Sequence, residues 1–285
     1  MTEILWLFMI YALLGWGIEV VYHAVTLGVV VNRGFLNGPI CPVYGCGVIC
    51  VLGVVRHAGE WMGLSGNIET ASPAILFVVG IVFATAVELI AGAALDILFH
   101  ARWWDYSREK FNFKGYICLK FSIIWGLIIA FVLRVIHPGI LGMVRMIPVS
   151  IGWIFLIVIY IVFVTDIILT TLAVLKLNKQ LDALDQLQKS ILLISDGMSE
   201  VIGTGTIKTV EKLETGKEIA KGEYEQNKQK LEELLNHMEK SIMYNKMFGI
   251  GRLFRAFPDM RHSKYQDIID QIKTMIKNTM GNIEE

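Results

Sequence analysis

The sequence predicts an all-α fold: a polytopic membrane helix bundle of about five transmembrane helices, one broken or re-entrant, followed by a helical cytoplasmic tail. Three observations carry this expectation. More than half of the 285 residues are hydrophobic. Charged residues are sparse in the first three-fifths of the chain and dense in the last two-fifths. The apolar runs reach the roughly 20 residues that a bilayer core requires. The division falls between a transmembrane domain, residues 1–175, and a tail, residues 176–285. With 26 Lys and Arg against 26 Asp and Glu, there is no electrostatic case for a nucleic-acid partner. The expected surroundings are a lipid bilayer.

The first helix is expected at about 4–23. It starts almost at the initiator, has Glu3 where a signal peptide would be basic, and lacks a small-x-small cleavage pattern, so it is read as retained. The second, about 40–56, is short and opens on Pro39 and Pro42, hence its reading as broken or re-entrant. The others are expected at 73–99, 115–136 and 149–175. Arg102, Arg108, Lys110 and Lys114 between the third and fourth helices, with Lys176 and Lys179 after the fifth, set these loops on the cytoplasmic side. The amino terminus is then outside and the carboxyl terminus inside.

Between the first two helices lies Arg33-Gly34-Phe35-Leu36-Asn37-Gly38-Pro39-Ile40-Cys41-Pro42-Val43-Tyr44-Gly45. Gly34, Gly38 and Gly45 permit backbone angles closed to other residues, while Pro39 and Pro42 each remove a donor. An irregular backbone survives near lipid only where protein or water meets its polar groups. The loop is therefore the leading site candidate, read against a plain rigid turn. Cys41, Cys46, Cys50 and Cys118 show no Cys-x-x-Cys spacing and are read as packing residues, with no metal and no cofactor expected.

A charge within a membrane helix costs roughly 2.5 to 3.5 kcal/mol, so each one needs a reason. Glu88 and Asp166 fall near mid-membrane in the third and fifth helices and are expected to face a polar cavity or substrate path. The alternative is that they are neutral acids hydrogen-bonded to backbone or, across helices, to Thr85, Thr165 or Ser122. Glu19, His23, Asp96 and Lys120 lie nearer the cytoplasmic ends. Glu19, Asp96, Lys120 and Arg33 are expected to form one paired cluster beneath the loop. Ala84, Ala91, Gly92 and Ala94 give the third helix a smooth face suited to close helix contact.

In the tail, Val174, Leu177, Leu181, Leu184 and Ile191 continue one apolar stripe inward from the fifth helix as a stalk. A second stripe, Leu231, Leu234, Leu235, Met238 and Ile242, fits a coiled hairpin, a contact with a second copy of the chain, or a solvated helix pair. Arg252, Arg255 and Phe257, in a basic aromatic segment, are expected to contact lipid or a partner protein. No phosphate-binding loop, nucleophile elbow or His-Glu-x-x-His occurs.

The loop motif at 33–45, the Glu in the third helix, Trp104-Asp105-Tyr106-Ser107, Phe113-Lys114-Gly115-Tyr116-Ile117-Cys118 and Trp125-Gly126 together resemble the ABC-transporter type IV, or CmpB-like, family of bacterial integral membrane proteins. The resemblance covers about the first 135 residues. It implies a permease subunit in a bacterial plasma membrane, working with a separate nucleotide-binding subunit. The residues themselves leave two other classes open. One is a membrane-embedded enzyme acting on lipid or envelope intermediates through Glu19, His23, Arg33, Asn37 and Asp105. The other is a scaffold or sensor whose working part is the tail.

Overall fold

The computed structural model describes residues 2–28, 30–61, 71–203, 210–244 and 248–281. Helices α1 (Thr2–Leu27), α2 (Pro42–Trp61) and α3 (Pro73–Phe99) open the bundle. Pro42 and Pro73 both sit at the first helical position, where a missing N–H costs nothing. Ser72 caps α3 by accepting from the Ile75 amide at 3.3 Å. Among the described residues, four helices are long and apolar enough to cross a membrane: α1, α3, the α4 to α5 segment and α6. Pro42–His57 within α2 is apolar but shorter.

The fourth helix departs from expectation at both ends. Residues 112–118 form a hairpin, β2 (Asn112–Phe113) against β3 (Ile117–Cys118), and α4 starts only at Leu119. Lys114 and Gly115 adopt positive φ there, which closes the hairpin and excludes helix. At its far end α4 (Leu119–Phe131) continues through a π turn, Val132–Ile136, into α5 (His137–Arg145). The π turn widens the backbone just before Pro138, whose ring would crowd a regular helix. The fifth expected helix is the first half of α6 (Val149–Gly203), which passes from membrane span to stalk without a break.

Close helix approach builds the bundle. A Cβ on Gly126 of α4 would stand 2.5 Å from Ile81 and 3.0 Å from the Phe77 carbonyl of α3. Leu7, Tyr11, Val51, Leu76 and Leu133 make a core at the end of the bundle farther from the tail. Helix α7 (Val210–Tyr244) returns along α6, its Met238 and Ile242 packing with Leu177, Leu181 and Leu184. The two stripes read in the sequence thus meet each other. After α7 come α8 (Gly249–Ala256), β4 (Arg261–His262) and α9 (Gln266–Gly281).

The tail folds back onto the membrane helices. Strand β4 pairs with β1 (Ala101–Arg102), setting His262 opposite Ala101, and Ser263 donates to the His100 carbonyl at 2.7 Å. One core joins Phe99, Ala101 and Trp103 to Leu253, Phe254, Phe257 and Ile269. Fully burying side chains of this kind contributes about 1.5 to 3 kcal/mol each, so the docking is a substantial part of the fold.

Candidate functional site

The loop between α1 and α2 is held from two sides. Asp166 on α6 accepts from the amides of Asn37 (3.1 Å) and Gly38 (2.7 Å) and from the Asn37 side chain (2.9 Å). Thr170, one turn on, accepts from the same Asn37 side chain at 2.8 Å. From the tail, Arg252 donates through Nη1 to the carbonyls of Asn32 (3.0 Å) and Gly34 (2.6 Å) and through Nη2 to that of Phe35 (2.7 Å). Gly249 N donates to Asn37 Oδ1 at 2.9 Å. A carboxylate therefore accepts from the loop's N–H groups and a guanidinium donates to its C=O groups. This is the internal satisfaction that an irregular backbone beside lipid requires. Burial pushes the Arg252 pKa down to about 10, with the Asp166 carboxylate opposing the shift.

Two expectations are corrected here. Gly34, Gly38 and Gly45 are absent from the positive-φ glycines of the described residues; what they provide is space. A Cβ on Gly45 would lie 2.7 Å from the Phe8 carbonyl, and one on Gly38 would lie 3.2 Å from Asp166. Asp166 does not line a cavity at the depth of Glu88. Its carboxylate is taken up instead by the Asn37 and Gly38 amides and the Asn37 side chain, and it is absent from the residues that line the cavity with Glu88.

Inside the bundle lies a cavity of about 440 Å³, bounded by α1 to α4, the loop and Phe257. Its lining runs from Leu95, Trp103 and Phe257 on the tail side to Tyr11, Ile129, Val132 and Ile136 beside the core at the other end of the bundle. At its mouth, Arg33 Nε lies 3.5 Å from Glu19 Oε2 and the Tyr44 hydroxyl donates to Glu19 Oε1. The Arg33 guanidinium also meets the His23 ring and lies over Phe257 at 5.9 Å.

Glu88 lies deeper and is 7% exposed. Its Oε1 accepts from the Tyr106 hydroxyl at 3.0 Å. Its Oε2 is buried without a hydrogen-bond partner, as is Trp103 Nε1, while the Trp125 indole lies beside the carboxyl group. Burial, reinforced by Glu88, holds the Tyr106 phenol well above its ordinary pKa, so it stays protonated and donates. Tyr106 stacks on Phe121 at 4.7 Å, and Tyr44 meets Trp125 edge-on at 5.5 Å. Neither Thr85 nor Ser122 serves Glu88: Ser122 donates to its own helix at the Cys118 carbonyl, and Thr85 Oγ1 has no partner.

The expected cluster of four splits, leaving only Glu19 and Arg33 together. Asp96 binds Arg102 at 2.8 Å and accepts from Tyr116 and Ser263 at 2.7 and 2.6 Å, because the hairpin and β4 close over the end of α3. Lys120 pairs with Glu109 at 3.1 Å on the exposed surface. The Trp104-Asp105-Tyr106-Ser107 motif divides its labour. Trp104 and Tyr106 line the cavity, with Trp104 Nε1 donating to the Tyr116 carbonyl at 2.9 Å. Asp105 accepts from Ser107 N and pairs with Arg261, each at 2.9 Å. Burial works against its charge, yet the Ser107 bonds and Arg261 hold its carboxyl below the usual range. A Cβ on Gly115 would come within 2.5 Å of that carboxylate.

Of the loop residues, Arg33, Phe35, Cys41, Pro42, Val43 and Tyr44 line the cavity, Gly34 and Gly45 are buried in packing, and Pro39 is exposed. Arg252 and Phe257 are corrected from surface contacts to interior ones; Arg255 is exposed. The Arg252 clamp and the Tyr106 to Glu88 bond had no sequence signal beyond a basic residue set among aromatics and a Tyr in a motif, since each joins segments distant in the chain.

Apolar helices around an aromatic-walled cavity, roofed by an internally satisfied loop, define a polytopic α-helical membrane protein with an internal chamber. Residues 6–171 match the family described as Putative ABC-transporter type IV, and the chain belongs to that family. The match includes the loop, Glu88, Tyr106 and Asp166 and ends before the tail. No curated protein and no solved structure matches the chain.

Proposed function

We propose that this chain is a transport subunit of an ABC-type system in a bacterial plasma membrane. The cavity is its substrate station, the loop at 33–45 gates the mouth, and ATP is hydrolysed by a separate nucleotide-binding subunit. The observation that carries this reading is the gathering of Glu19, Arg33, Tyr44, Glu88 and Tyr106 around one cavity that the loop itself helps to line. The family description supports it. The amino terminus is outside and residues 176–285 are the cytoplasmic part, from the basic residues flanking the helices.

Force from an ATPase has a route to the cavity. Arg252 grips the loop backbone, Phe257 lines the cavity wall, and exposed Arg255, Arg108 and Lys110 offer a surface on the same side of the membrane. Pull-down of the tagged protein from its native membrane in mild detergent is expected to recover a stoichiometric nucleotide-binding subunit. Changing Arg108, Lys110 and Arg255 to Glu should lose it. Recovery of the chain alone would overturn the permease reading. The enzyme reading has less support: Glu19, His23 and Arg33 converge, but Asn37 is committed to Asp166 and Asp105 to Arg261.

A further inference from the structure

Two carboxylates, Glu19 and Glu88, line the cavity, and Arg33 is the one basic residue among its lining residues. Arg33 is engaged by Glu19 at the mouth. The deeper acid, Glu88, therefore has no basic partner among the described lining residues, and a cation entering the cavity would supply the counter-charge that its carboxylate form lacks. Tyr106 donates to one oxygen of Glu88, the Trp125 indole lies beside the carboxyl group, and the second oxygen is buried without a hydrogen bond of its own. Around it stand the rings of Tyr44, Trp104, Tyr106 and Trp125. An acid beside several aromatic side chains in an apolar cavity is the arrangement that attracts an organic cation, through charge and through cation–π contact together.

We infer that the cavity binds a lipophilic monocation, an amine or quaternary onium group carrying apolar substituents, with its charge against Glu88 and its apolar groups against the walls. The inference rests on the reading of the cavity as a substrate station and adds the charge and polarity of what enters. A volume of about 440 Å³ lies in the range of organic-ligand sites. No group of three or more His, Cys, Asp or Glu suited to a metal ion occurs among the described residues, which argues for an organic cation over a bare one. An anionic amphiphile would hold Glu88 in its neutral form and find no free basic group among the lining residues, since Arg33 is engaged by Glu19. A neutral one would gain nothing from the charge that Glu88 can carry.

The test uses the full-length protein in nanodiscs of zwitterionic lipid, with empty nanodiscs subtracted. The probes are tetraphenylphosphonium, its anionic isostere tetraphenylborate, and neutral triphenylphosphine oxide. Binding is read by quenching of tryptophan fluorescence, since Trp103, Trp104 and Trp125 line the cavity. Saturable binding of the phosphonium alone is expected. Glu88→Gln should weaken it roughly thirtyfold, the loss typical of leaving a buried charge without its partner. Glu88→Asp, which keeps the charge, should retain most of the affinity. Equal binding of the three probes, binding of none, or an unchanged affinity in Glu88→Gln would overturn the inference. Should Glu88→Gln fail to fold, the wild-type selectivity between probes decides alone. These results are independent of whether a nucleotide-binding subunit co-purifies, so failure here and failure of the permease reading are distinguishable.

Discussion

Asp166 and Glu88 are both acids within apolar helices, and their surroundings give them different tasks. Asp166 is saturated by donors of the loop, whereas Glu88 keeps one oxygen unmet inside the cavity. Asp166→Ala should strand two backbone N–H groups and leave the Asn37 side chain with Thr170 alone, costing about 3 to 5 kcal/mol, with Asp166→Asn milder because an amide oxygen still accepts. Unfolding in mild detergent, monitored by tryptophan fluorescence, measures both. Glu88→Gln should change stability by no more than about 1 kcal/mol, because the Tyr106 hydroxyl can donate equally well to an amide. A larger loss would make Glu88 a structural acid. The sequence identified both acids by the cost of burying charge; it could not tell them apart, since their partners lie on other helices and in the tail.

The helices that periodicity and length define were legible to the residue in favourable places. Helix α3 occupies 73–99 as expected, its start fixed by Ser72 and Pro73. Val174, Leu177, Leu181 and Leu184 are all buried, as the stripe implied. Around residue 115 hydropathy misled, because Phe-Lys-Gly-Tyr-Ile-Cys is as apolar in a hairpin as in a helix, and only the positive φ at Lys114 and Gly115 separates the two. Close packing between α3 and α4 makes its own prediction. Gly126→Ala should destabilise the bundle by about 1 to 3 kcal/mol through overpacking against Phe77 and Ile81. Gly47→Ala, where a Cβ meets nothing within 4 Å, should leave the melting temperature nearly unchanged. Equal effects of the two substitutions would contradict the close approach of α3 and α4 at Gly126.

Across the molecule as a unit, the tail is bound to the loops that frame the cavity, and one histidine reports on that union. His262 is 3% exposed, with Nδ1 facing the amides of Lys264 and Tyr265 at 3.2 and 3.1 Å and Nε2 facing Asn178 Oδ1 at 3.2 Å. Nδ1 is thus the acceptor and Nε2 the donor. Burial pushes its pKa down to about 4, with the charges of His100 and Lys264 adding to the shift and Asp96 opposing it. The folded value lies below the unfolded one near 6.5, so the unfolded chain binds the extra proton between them. Stability should hold above about pH 6.5 and fall towards pH 4, with a loss of about 2 kcal/mol at pH 5. Thermal unfolding and limited proteolysis of the tail across pH measure this, and His262→Gln should flatten the dependence. A wild-type profile as flat as that of the variant would show that His262 does not couple tail docking to pH.

Membrane character, most of the helix positions, the irregular loop and the acids that need a reason to be buried are all legible in the chain alone. They follow from composition and local geometry, because hydropathy, periodicity and the limits of Gly and Pro act over neighbouring residues. Which acid faces the cavity, the departure of Asp96 and Lys120 from the expected cluster, and the satisfaction of the loop by Arg252 from more than 200 residues away emerge only once the helices are assembled. Partner choice among buried charges is set by which helices and strands meet, and contacts across such separations leave no periodic trace in the chain.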